Sequence, residues 1–164
     1  LVLYLRFSWS MAAIYKINDD FYDESFILIA LHTTLDDYAL VYGLNQSLKA
    51  KFVRARKDFN LAENKSFPIF EWDDEFHDMY WVLVANHSSE QELIPNNDLF
   101  QNETTFTKPR LIPEYKDVDY LLKIETEKEF DTSSLIKNIL MLQRVMAAYE
   151  ISTEKLKSKN NLIF

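Results

Sequence analysis

The chain has 164 residues, enough for one domain with a substantial core, and its make-up of 48% hydrophobic, 15% aromatic and 27% charged residues is that of a folded globular protein. A net charge of −8 disfavours nonspecific binding to nucleic acid or anionic lipid, and the absence of cysteine removes disulfides, thiolate nucleophiles and cysteine-ligated metals. A single glycine, Gly43, excludes the glycine-rich phosphate loops and the glycine-flanked serine nucleophile.

Residues 1–10, LVLYLRFSWS, are mostly apolar but are interrupted by Arg6 and too short to span a bilayer, so they read as an extension outside the domain. Residues 11–164 then form a single domain, opening with a short strand over Met11–Asn18 and an acidic turn. Phe26–Leu31, FILIAL, is an unbroken apolar run, the pattern of a strand covered on both faces. Thr34 is placed to cap a helix from Leu35 to about Leu48, with Asp37 supporting its first turn. Tyr38, Val41, Tyr42, Asn45 and Leu48 share one face of that helix, and close packing against a neighbouring backbone explains Gly43 inside it.

Lys51–Lys57 reads as a strand with Val53 and Ala55 on one face and Phe52, Arg54 and Arg56 on the other. Phe67–Trp72 and Met79–Asn86 look like the arms of a hairpin around the acidic turn DDEFHD. Residues 88–111 are polar and weakly periodic, a long loop of the kind that is functional or mobile. Asn45, Asn64, Asn86 and Asn102 each begin an Asn-X-Ser/Thr pattern, which has meaning only in a secreted eukaryotic protein.

Val118, Tyr120, Leu122 and Ile124 alternate with Asp119, Lys123 and Glu125, so a half-buried strand is expected there, with Leu121 out of pattern. Leu135, Ile139, Leu142, Met146 and Tyr149 recur at helical spacing, which predicts a closing helix to Glu150 capped by Asp131 and stapled by Phe130 and Leu135. Leu162, Ile163 and Phe164 end an otherwise basic tail and are expected to dock on the domain or a partner. The expected class is α+β, a single mostly antiparallel sheet of about five to six strands with two main helices packed on it. By analogy, this order of elements is similar to profilin-like and longin-like interaction scaffolds.

Ile112-Pro113-Glu114, followed after three residues by Val118-Asp119-Tyr120, resembles the signature of the bacterial IPExxxVDY family, and the likeness extends from about Met11 to the C-terminal tail. The resemblance implies a small cytosolic protein and carries no catalytic residues with it. Read from the residues themselves, the signature sets geometry: Pro113 forces Ile112 to be extended, Glu114 accepts hydrogen bonds from the following turn, and Val118 opens the buried strand.

A cytoplasmic, non-enzymatic protein-interaction module is the leading expectation, working through loop 88–111 and the tail with an unknown protein or a second copy of itself, without cofactor or membrane. One alternative is an enzyme or small-ligand binder with Glu114, Asp119 and His77 in one site, helped by Arg110 or Lys116. His77 stands among carboxylates, yet their spacing matches no metal motif. The other alternative is a single-stranded nucleic-acid binder through Lys49, Lys51, Arg54, Arg56 and Lys57 with Phe52 stacking on a base, which the acidic charge disfavours.

Overall fold

A computed structural model describes residues 26–63, 65–89, 92–95 and 104–164. The N-terminal extension 1–10 and the Met11–Asn18 strand lie outside the described residues. Element order is β1 (Phe26–Thr33), α1 (Asp37–Leu48), β2 (Val53–Arg54), β3 (Phe59–Ala62), β4 (Lys65–Phe67), β5 (Ile69–Asp74), β6 (Met79–Ala85), β7 (Glu92–Pro95), β8 (Thr104–Thr107), β9 (Tyr120–Glu125), α2 (Thr132–Leu140) and β10 (Val145–Glu150). Among the described residues the main sheet has six strands in the order β10-β1-β9-β6-β5-β2, every neighbouring pair antiparallel, so the class is α+β.

The central strands are buried on both faces. Ile29, Leu83 and Leu122 lie in one row of the sheet, because Ile29 pairs with Leu122 and Leu83 pairs with the same residue. They face Leu40, Leu44, Leu135 and Ile139 of the two helices. Ala30, Val84 and Leu121 form the adjacent row on the opposite face, covered by Leu111, Ile112, Val118, Ile151, Leu156 and Leu162. The apolar run Phe26–Leu31 is therefore covered twice, as its composition requires. β9 is buried on both faces rather than one, which explains Leu121, and Val118 precedes the strand and packs on the face opposite Tyr120.

Local chemistry sets the helix starts. The Asp36 carboxylate accepts from the Ala39 N–H at 2.8 Å, so Asp36 and not Thr34 caps α1. Asp131 caps α2, accepting from the Ser134 N–H at 3.1 Å, and Phe130 and Leu135 pack in the same cluster. Gly43 faces the Leu142 side chain rather than a backbone.

The closing helix is shorter than its apolar spacing predicts. α2 ends at Leu140, the chain turns through Arg144 at φ 71°, and Val145–Glu150 runs as a strand beside β1. The cause is tertiary: Ile29, Ala30 and Leu31 are fully buried, and their backbone groups on the side away from β9 must be paired. Helical spacing past Leu140 is a coincidence of Leu142, Met146 and Tyr149, of which Met146 is 64% exposed. Within the expected loop 88–111, the β-branched and aromatic run Thr104–Thr107 pairs with Glu92–Pro95 as a separate antiparallel hairpin. No helix of the described residues is long and apolar enough to cross a membrane.

A Cβ added at Gly43 would stand 3.4 Å from a Leu142 methyl, an ordinary contact. Gly43→Ala should therefore raise stability by up to about 1 kcal/mol through helix propensity, read as a higher midpoint in urea or heat denaturation.

Candidate functional site at the open sheet edge

The signature segment is held by one buried side chain. Asn86, fully inaccessible at the end of β6, accepts from the Ile112 N–H at 2.8 Å and donates to the carbonyls of Tyr115 (2.8 Å) and Val118 (3.1 Å). Its own N–H donates to Asp119 O and its carbonyl accepts from the Leu111 N–H, both at 2.9 Å. With Ile112 extended before Pro113 and a single 3-10 turn over Pro113–Tyr115, this segment becomes a rigid wall beside β1 and β10. Glu114 does not bond to the following turn. Its carboxylate accepts from the Ser158 N–H at 2.9 Å and the Ser158 hydroxyl at 2.6 Å, which holds it below the usual glutamate range.

The two halves of the signature line two separate hollows. Glu114, Tyr115, Lys116 and Asp117 border one of about 380 Å³ with His32 and Tyr149. Asp119 and Tyr120 border another of about 410 Å³ with Thr33, Asp36, Asp37 and His87. Asp119 accepts from the Thr33 N–H at 2.9 Å, and the Tyr120 hydroxyl donates to Leu35 O at 3.3 Å. Burial, reinforced by Asp37 and Asp36, pushes that hydroxyl up to about 12, so it stays protonated. His87, which sequence reasoning passed over, is pushed below its usual imidazole value by burial and by Lys108 and Arg110.

Glu114, Asp119 and His77 do not form one site. His77 sits in the β5–β6 turn, where Nδ1 lies 2.6 Å from an Asp74 carboxylate oxygen. Tyr80 is opposite Glu125 and Ala85 opposite Tyr120, so His77 and Asp119 lie beyond opposite ends of β9, about 20 Å apart at the strand rise. Among the described residues no group of three or more His, Asp or Glu side chains could hold a metal ion.

The basic strand is also reshaped. Only Val53 and Arg54 are extended, with Phe52 buried and Val53 exposed. The Asn45 amide binds both backbone groups of Phe52 (2.8 and 3.1 Å), which fixes that ring inside, where it has no access to a nucleic-acid base. Arg54 is paired with Asp58 and lies over the Phe70 ring, while Lys49, Lys51, Arg56 and Lys57 are exposed. In the tail, Leu162 is fully buried and its carbonyl accepts from Lys123 Nζ at 2.9 Å, whereas Ile163 and Phe164 remain exposed, Phe164 with its ring 4.9 Å from that of Phe59.

The arrangement with the clearest capacity to act is the edge formed by β10. The Ile151 N–H donates to Leu28 O at 2.8 Å, and the register of Ala30 with Tyr149 and His32 with Ala147 continues that hydrogen-bonded series. By antiparallel alternation, Ala148 and Glu150 turn their backbone groups away from β1. On the same strand stand Met146, 64% exposed, and Tyr149, whose ring stacks on His32 with Nε2 and the hydroxyl 3.2 Å apart. Such an edge can hydrogen-bond an added strand while methionine and tyrosine supply adaptable apolar contact.

Asn86→Ala strands one buried N–H and two carbonyls, and should cost about 3 kcal/mol or more in chemical denaturation. His87 binds its proton more weakly folded than unfolded, so its contribution to stability is present above its ordinary value of 6.5 and is lost as pH falls below it. Replacing His87 by Gln should flatten the fall in Tm that the parent protein undergoes from neutral pH down through this window. No protein-family model, curated protein or solved structure matches this chain.

Proposed function

We propose that this chain is a cytoplasmic, non-enzymatic protein-interaction module that takes up an extended strand of another polypeptide on the outer edge of β10. The observation that carries the reading is the pairing state of that strand: Ala148 and Glu150 present main-chain donors and acceptors outward, with no strand beside them among the described residues. Main-chain hydrogen bonds would supply affinity. Met146 on the rim and the hollow walled by Tyr149, His32 and Tyr115 would supply side-chain selectivity. The candidates for catalysis support this reading over an enzymatic one, because Glu114, Asp119 and His77 lie apart and each is engaged by Ser158, Thr33 or Asp74. The IPExxxVDY resemblance belongs to the same proposal, with the signature residues shaping the wall next to the docking edge.

The test uses a proline at the outward-facing position. Ala148→Pro removes a donor that β1 does not use, so the fold should persist while strand addition is blocked. Tagged parent and variant proteins purified from the native host should differ, with at least one protein, the chain itself included, retained by the parent and lost by the variant. An identical set of recovered proteins would overturn the proposal.

A further inference from the structure

We infer that the basic edge of the sheet, opposite β10, binds single-stranded nucleic acid, with phosphates on the lysines and arginines around β2 and bases on two exposed tyrosines of α1. Tyr38, Tyr42 and Asn45 recur at steps of four and three, so they share one stripe of α1, and Lys49 caps its end. The stripe lies along the chain that leads into β2. Tyr38 packs edge-on against Phe70 with 5.5 Å between ring centroids, and the Arg54 guanidinium lies over the same ring at 5.4 Å. At the other anchor the Asn45 amide holds the backbone of Phe52. Tyr42, between the two anchors in the stripe, is 69% exposed, and Tyr38 is 64% exposed. Phe52 is buried, so the aromatic faces at this edge come from the helix instead of the strand.

Positive charge collects at the same edge. Lys49, Lys51, Arg54, Arg56 and Lys57 place five cations in nine residues of a chain whose carboxylates outnumber its lysines and arginines 26 to 18. Arg54 is paired with Asp58, whereas the other four are exposed and have no carboxylate partner among the described residues. Asp37 at the head of α1 and Glu71 across from Val53 bound the basic surface. The net charge of −8 does not cancel it, because at physiological salt charges are screened over about 8 Å and the nearest ones dominate. The form of the edge selects the ligand. β2 is two residues long and offers too few main-chain groups to hold an added strand, which leaves a polypeptide only side chains to bind. A strand that carries an anion and a planar ring on every unit matches cations set beside tyrosine rings. Tyr38 and Tyr42 are one helical turn apart, about 6 Å along the axis, against about 3.4 Å per nucleotide in a stacked strand. Bases reach both rings only by unstacking, which a duplex resists.

Fluorescence anisotropy decides the matter, with a labelled uridine or thymidine oligonucleotide of about 12 nucleotides titrated by the full chain at about 50 mM salt and then at rising salt. The parent should bind in the micromolar range, and log K should fall against log salt with a slope of about −2 to −3, the value for three or four phosphate contacts on a single strand. Lys51→Glu combined with Lys57→Glu should weaken binding by about tenfold or more and flatten that slope. Tyr42→Ala should weaken it by about fivefold or more with the slope unchanged, because stacking releases no counterions. All three side chains are exposed, and circular dichroism checks that each variant is folded. A parent protein that does not bind at low salt overturns the inference, as does equal affinity for the corresponding duplex. Either variant binding like the parent overturns it too. Displacement of the label by polyglutamate as readily as by unlabelled oligonucleotide, at matched charge, overturns nucleic acid in favour of an acidic polypeptide.

Discussion

The architecture depends on Asn86. Three hydrogen bonds through its amide and two through its backbone, five in all, attach the segment 111–119 to the end of β6. A buried amide satisfied on every side costs little, whereas the same backbone groups without it would each carry the full penalty of desolvation. Because that segment is pinned, Leu111, Ile112 and Val118 sit over Ala30, Val84 and Leu121, and β9 enters the sheet in register between β1 and β6. Asn86 is also closed to solvent, so its Asn-His-Ser pattern has no meaning as a glycan acceptor in the folded chain.

From this pinned segment the rest of the second face is assembled. Glu114 holds Ser158, and the Asn161 amide donates to Leu111 O at 2.8 Å, so the C-terminal tail lies on the signature turn. Its apolar contributions are Leu156 and Leu162, and the Leu162 carbonyl meets the ammonium of Lys123, a lysine only 4% exposed. An ammonium out of water needs compensation, which comes from Glu125 at 2.6 Å and from the rings of Phe26 and Phe164 at 4.8 and 5.4 Å. The tail thus covers a sheet face that would otherwise expose a row of leucine and valine, and it does so through polar anchors that specify one placement.

The consequence for function is an asymmetry between the two sheet edges. On one side the strand is cut to two residues amid lysine and arginine, and the loop before it is clamped by the Asn45 amide. On the other, six residues of nearly uncharged strand have no neighbouring strand among the described residues and carry an exposed methionine and a stacked His32–Tyr149 pair. Edges usually carry a device against pairing, and among the described residues β10 has the irregularity at its start, where the register shifts between His32 and Thr33. An edge unpaired among the described residues, next to a wall built by the signature, is the physical basis for the proposed docking role.

The alternation and runs of apolar residues in Phe26–Leu31, Met79–Ala85 and Tyr120–Ile124 mark strands by themselves, the short connections imply antiparallel pairing, and the caps at the start of each helix are written within a few residues of them. Those are local signals, legible because burial on one or two faces imposes a period on the chain. Whether residues 141–150 continue a helix or form a strand could not be read locally, since their apolar spacing suits a helix and no glycine or proline interrupts it. Likewise no pattern distinguishes Asn86 from a turn asparagine, or Lys123 from a solvated one. Only the folded sheet decided these, because the buried backbone of β1 required a neighbour, the ends of the signature required an acceptor and two donors in one place, and both demands come from residues far away in the chain.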